Sequence, residues 1–326
     1  MHPAFSVIFL TTLIGVGQGL FLALFTAQSY ALFDLLPKPQ ERVFYATGSL
    51  LALVFLAAGL LASFFHLGHP ERAWRSAAQW RTSWLSREVM VLPAFMGVLS
   101  LYGLAHLFGW KPVLVTLPNG LAIDVTLALG VLGSLLAFAL FVCTAMIYAC
   151  LRFLREWHSP LTVINYILLG GASGFTLATL FATYGAPALT GFFGGWALIM
   201  TALALVGRVA SLLRNARLKP GSTLQTAIGI KHPRIAQKSQ GCMGGSFNTR
   251  EFFHGRTPAL LRSVKWLFLL STFVLPMILL AIGMATLSTA LLLLAFTVQY
   301  FGLLGERWFF FAQAYHPQNL YYQAIA

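Results

Sequence analysis

HLGHPERAWRSAAQWRTSWLSRE, residues His66–Glu88, lies between two hydrophobic segments, Leu50–Phe65 and Val89–Phe108. Its 23 residues include two histidines, four arginines (Arg72, Arg75, Arg81 and Arg87), two glutamates and three tryptophans. The whole chain has only 21 Lys and Arg and 8 Asp and Glu, so six of these charged residues in one stretch is a local excess. A charged break between long apolar runs reads as a loop at a membrane surface. Ionisable groups just below such a surface cost free energy unless paired, which makes the cluster a candidate for function.

The composition on either side agrees. Of 326 residues, 58% are hydrophobic and 9% charged, where a soluble domain carries about 25% charged residues. The apolar runs are continuous and near the roughly 20 residues that a helix needs to cross a bilayer. They do not alternate over about ten residues as barrel strands do. The expectation is therefore an all-α integral membrane protein, one membrane domain over residues 1–326. The opening MHPAFSVIFLTTLIG lacks a basic segment and a small-residue cleavage site, so it reads as a first span that is retained. The cysteines are Cys143, Cys150 and Cys242, with no CxxC spacing. That is too few thiolates for an iron–sulfur cluster, and no zinc pattern is present.

Working outward gives eight spans: Phe5–Phe33, Val43–Phe65, Val89–Phe108, Leu121–Tyr148, Leu161–Thr183, Ala188–Leu213, Val264–Ala285 and Leu287–Phe309. The last two almost touch at Thr286 and should form a tight antiparallel hairpin. With alternating crossings, 18 of the 21 Lys and Arg fall on the side of the amino terminus. The positive-inside rule makes that side cytoplasmic, with both termini inside, as expected for a bacterial inner membrane. The same side carries His66–Glu88, the REWHSP turn (Arg155–Pro160) and a long basic loop from Arg214 to Pro258. The net charge of +13 suits anionic lipid or a docked cytoplasmic partner. Nucleic acid is not expected.

His66 and His69 stand where the second span meets the loop, and Pro70 stops simple helical continuation. An imidazole there suits hydrogen bonding to a quinone carbonyl and proton exchange with cytoplasmic water. The plainer alternative is an interfacial histidine bonded to nearby backbone. Glu88, following Arg87, reads as a first-turn carboxylate complementing the helix dipole, or as a partner of Arg72 or Arg75 in a proton relay. Trp74, Trp80 and Trp84 suit interface anchors. Thr82, Ser83 and Ser86 are candidate caps of the third span, Ser86 the plainest of them. His158 and His254 lie on the same side and read as interface residues. Spans four to six look free of buried ionisable groups, which argues against an ion pump. No histidine pair suits a membrane-embedded haem, since His66 and His106 sit at opposite ends of their spans.

At HLGHPERAW (His66–Trp74), RTSWLSRE (Arg81–Glu88), MIYACLRFLREWHSP (Met146–Pro160) and MGGSFNTREFFHG (Met243–Gly255) the chain resembles the membrane anchors of dimethyl sulfoxide reductases and their relatives. The resemblance covers nearly the whole chain. It implies a three-part complex: a catalytic chain with molybdopterin, an electron-transfer chain with iron–sulfur clusters, and an anchor without metal that exchanges electrons with quinone. The histidine of the family's HLG motif, at its quinone site, falls on His66. The expected quinone-contacting set is His66, His69, Arg72, Arg75, Ser83, Trp84, Arg87 and Glu88. Arg155, His158, Arg250 and His254 are the expected partner-docking residues. Anchors of exported reductases put the amino end and quinone loop on the periplasmic side, whereas charge here puts both inside. The opening MHPAFSVIFLTTLIGVGQG is similar to the branch serving cytoplasmic sulfite dehydrogenases, which oxidise sulfite to sulfate and reduce quinone. The competing readings are an oxyanion or sulfoxide reductase anchor, a purely structural anchor and a transporter. The last would need broken or polar mid-membrane helices.

Overall fold

The structure is a computed structural model that describes residues 4–37, 41–116, 118, 122–219, 221–235, 258–317 and 320. Among the described residues, eight helices long and apolar enough to cross a membrane follow one another. They are α1 (Phe5–Leu32), α2 (Glu41–Phe64), α3 (Trp84–Phe108), α4 (Val125–Ala149), α5 (Pro160–Gly185), α6 (Thr190–Ala216), α7 (Pro258–Ala285) and α8 (Thr289–Ala312). All eight expected spans are present.

The boundaries differ where local chemistry overrides hydropathy. Span three starts at Trp84, more than a turn before Val89, because Ser83 is its N-cap and accepts from the Ser86 amide at 3.4 Å. Ser86, the plainest cap by sequence, is instead buried inside the helix. Span four starts at Val125, because the residues before it form a two-stranded antiparallel hairpin, β1 (Val113–Thr116) with β2 (Ala122–Asp124). Asp124 then caps α4, its Oδ1 accepting from the Leu127 amide at 2.8 Å. Among the described residues the fold is all-α apart from that hairpin. The loop after α2 forms a ten-residue 3-10 helix, Pro70–Gln79, with no buried residue, lying against α3.

α1 and α5 form the centre. Each is 72% buried across its most apolar window, against 28–39% for the other six. They approach closely because Gly15, Gly19, Gly170 and Gly174 face one another. A Cβ on Gly174 would collide with the Gly19 backbone, and one on Gly19 with Gly170. Without a hydrophobic drive between helices in lipid, such small-residue contacts allow the dispersion that holds them. Around this pair the core gathers Phe21, Phe44, Tyr45, Phe95, Tyr102 and Phe193. A second aromatic cluster, with Trp157, Tyr166, Phe310 and Phe311, lies under the α4–α5 turn.

α7 contains a π-helical segment, Leu270–Val274. Pro276 has no N–H to offer the Thr272 carbonyl one turn back. Gln299 of α8 donates to that carbonyl instead, Nε2 to O at 3.4 Å. The expected α7–α8 hairpin turns through Thr286–Ser288, with Leu287 left-handed at φ 52° and Ser288 capping α8.

Candidate functional site

Helix alternation brings the start of α1, the end of α2, the start of α3 and the α4–α5 turn to one side of the bundle. The expected quinone-contacting residues divide there into an outer and an inner set. The outer set borders the 3-10 helix. His66, His69, Arg72 and Arg75 are all exposed. His69 donates through Nδ1 to Glu71 Oε1 at 3.0 Å, and Arg72 Nε stands 3.7 Å from the same oxygen. Arg75 lies over the Trp74 ring at 5.5 Å. His66 is exposed by area, yet the surrounding chain shields its ring enough to push its pKa below the ordinary value. An uncharged imidazole at neutral pH follows.

Between α1 and α2 runs an apolar groove of about 330 Å³ lined by Ser6, Phe9, Ala58, Leu61, Ala62 and Phe65, the residue that precedes His66.

The first turn of α3 joins outer to inner. Arg87 stacks on the Trp84 ring at 4.3 Å and donates to the Trp80 and Arg81 carbonyls at 2.9 and 2.7 Å. These bonds tie the loop to the helix. One residue further Glu88 points inward, only 6% exposed, and accepts a short hydrogen bond from Thr144 Oγ of α4. The expected pairing with Arg72 or Arg75 is not found. Among the described residues no ion pair or hydrogen bond joins Glu88 to either. The helix starting at Trp84 turns residue 88 to the bundle while the arginines stay on the outer shelf.

The α4–α5 turn is fastened from within. His158 Nδ1 donates to the Ala149 carbonyl at 2.6 Å, satisfying the open end of α4. Arg214 of α6 donates to the Arg155 and His158 carbonyls at 3.0 and 2.9 Å. Arg155 donates to the Lys219 carbonyl at 3.0 Å. Both Arg155 and His158 remain exposed. Arg250 and His254 lie outside the described residues.

A buried charge cluster has no counterpart in the sequence reading. Arg208 of α6 and Glu306 and Arg307 of α8 are 2%, 1% and 5% exposed. Arg208 Nε stands 2.8 Å from Glu306 Oε1, and Arg307 Nη2 lies 3.8 Å from Glu306 Oε2. The Arg307 guanidinium sits 3.8 Å over the Tyr166 ring. The expectation that spans four to six hold no buried ionisable group is therefore wrong for Arg208. Counting loop charges assigns Arg208 and Arg307 to loop flanks. Both stand within the apolar runs themselves, which was the available signal.

The DMSO reductase anchor (DmsC) family profile matches residues 1–311. The C-subunit of sulfite dehydrogenase from Allochromatium vinosum is 57% identical over 326 residues, covering all of both chains. With the family profile spanning nearly the whole chain and this relative matching it end to end, the protein belongs to the DMSO reductase anchor family and is a multi-pass membrane homologue of a sulfite dehydrogenase component.

Proposed function

We propose that this chain is the quinone-exchanging anchor of a molybdopterin and iron–sulfur oxidoreductase in the bacterial inner membrane, and that the complex oxidises sulfite to sulfate. Three features at the same end of the bundle support the quinone reading. An apolar groove of about 330 Å³ is within the 300–1,000 Å³ usual for small-molecule sites. His66 directly follows Phe65, one of its lining residues, in the chain. A buried carboxylate, Glu88, is held by Thr144 at the start of the helix that the histidine's loop enters.

Bound there, a quinone would take up two electrons and two protons per turnover. His66 is the group for its ring carbonyl, since an imidazole of lowered pKa stays neutral and able to donate or accept near pH 7. The cationic shelf of Arg72, Arg75 and Arg87, with His69 beside it, borders the ring and draws its electron density outward. Ser83 and Trp84 fix the start of α3, and Glu88 is the internal proton acceptor. Arg155, His158, Arg250 and His254 belong to the face that receives the iron–sulfur subunit. That face is cytoplasmic, as are both termini. Even without the buried Arg208 and Arg307, 16 of the 21 Lys and Arg stay on this side. The sulfite branch is supported by the relative's name.

The test uses the assembled complex. His66→Ala should lower sulfite-dependent reduction of a soluble quinone analogue by about 10²-fold, as for loss of a proton-transferring group. Sulfite oxidation with an artificial dye accepting from the iron–sulfur subunit should be unchanged. Equal quinone-linked rates in variant and parent would refute the site.

A further inference from the structure

Two small cavities, their walls mixing polar and apolar side chains, lie inside the half of the bundle toward the proposed partner face. The outer one, of about 10 Å³, is lined by Glu156, Asn165, Ser211, Arg214, Glu306 and Arg307 among others. The inner one, of about 20 Å³, reaches Thr11, Thr12, Gln18, Thr144, Ser173 and Arg307. A water needs roughly 10–15 Å³ and several polar partners, so these are spaces for single waters. Tyr166 and Arg307 line both cavities and form the partition between them. Among the described residues, Asn165 Oδ1, Arg208 Nη2 and Arg307 Nε are buried without a hydrogen-bond partner. Unpaired buried polar atoms beside such cavities point to water, since leaving them dry costs about 1–3 kcal/mol each.

The two ends of this pair of cavities are chemically distinct. Glu156 lies at the outer end, in the α4–α5 turn on the partner-facing side. At the inner end Thr144 belongs to the cavity wall and also donates to Glu88. Beyond Gln18, whose Nε2 donates to the Ala137 carbonyl at 2.8 Å, α1 runs about 15 Å before its next glutamine. Phe21, Leu24 and Phe95 fill that interval. On its far side Gln28 bonds Thr126 at 2.9 Å and accepts from Tyr102 at 2.7 Å, a separate polar group.

We propose that these cavities form a one-sided proton entry, carrying protons from the Glu156 turn past the Tyr166–Arg307 partition to Thr144 and Glu88. It deepens the quinone reading above and rests on it. Water in the inner cavity gives a proton to the Thr144 hydroxyl as that hydroxyl passes its own to the Glu88 carboxylate; a proton entering through the outer cavity restores the water, and Glu88 returns to carboxylate when it yields its proton to the quinone. The apolar belt around Phe21 and Phe95 closes the path toward the opposite surface. Tyr166 and Arg307 are positioning residues, and Thr144 is the relay.

Three variants of the assembled complex test this: Thr144→Val, Thr144→Ser and Tyr166→Phe. Each is assayed for quinone-linked and dye-linked sulfite oxidation, in H2O and in D2O. Thr144→Val should cut the quinone-linked rate by about tenfold or more and introduce a solvent isotope effect. Thr144→Ser should restore both to parental values. Tyr166→Phe should slow the quinone-linked rate in the same sense. Dye-linked activity should not change. Thr144→Val and Tyr166→Phe complexes with the parental quinone-linked rate and isotope effect would overturn the proposal while leaving the quinone site intact. A Thr144→Ser variant as slow as Thr144→Val would do the same, because it marks a packing role. A parent complex unable to reduce quinone would instead refute the underlying reading.

Discussion

At the scale of single residues, burial decides what each charged group can do. Glu156 sits in the α4–α5 turn, where burial raises its carboxyl pKa; its backbone hydrogen bonds and nearby Arg214 and Arg155 oppose that only in part. A carboxyl whose pKa is higher folded than unfolded binds its proton more tightly in the folded state. Its contribution to stability is complete below the unfolded value, about 4.3, and is lost as pH rises through the folded value. Glu156→Gln should therefore melt higher than the parent at neutral pH and converge with it in acid. Melting curves in detergent across that range would check this, and a variant less stable at neutral pH would contradict it. His66 and the arginine shelf were legible in sequence because a charge excess stands out between apolar runs. The inward turn of Glu88 was not, since it depends on where α3 begins, and Ser83 rather than Ser86 sets that start.

At the scale of elements, the number and order of spans could be read from hydropathy, but their ends could not. A cap and a hairpin moved them. The residues before Val125 are apolar enough to read as helix, yet they pair as β1 and β2 because Asp124 starts the helix after them. Arg208, Glu306 and Arg307 show the opposite failure. Each lies inside a run that hydropathy placed correctly, but a count of loop charges takes the two arginines for surface groups. Their mutual pairing needs α6 and α8 both to pack against α5 and α7, which no local pattern encodes. The α1–α5 contact is the most demanding packing in the bundle. Gly174→Leu should force the two helices apart and lower stability by about 3 kcal/mol or more, the upper range for overpacking. Thermal unfolding of the purified anchor would measure this, and an unchanged midpoint would show that the glycine contact carries no packing role.

At the scale of the whole molecule, the account depends on which face the soluble subunits occupy. Cys150 is exposed at the end of α4 on the positive side, whereas Cys143 is buried. In a Cys242→Ser chain expressed without its partners, a membrane-impermeant maleimide should label Cys150 in inverted vesicles but not in intact cells. The reverse result would put the basic loops outside and remove the case for a cytoplasmic partner. In the proposed orientation both cavities lie toward the partner, and the apolar belt around Phe21 and Phe95 separates them from the Gln28–Thr126–Tyr102 group, so the proposed electron and proton paths share one side.

The most direct measurement is to find where quinone sits. A photoreactive quinone bound to the sulfite-reduced complex and then irradiated should label peptides between Ala58 and Glu88 of this chain, and an excess of unmodified quinone should suppress the label. Competable label confined to another subunit, or to α7 and α8, would contradict the account.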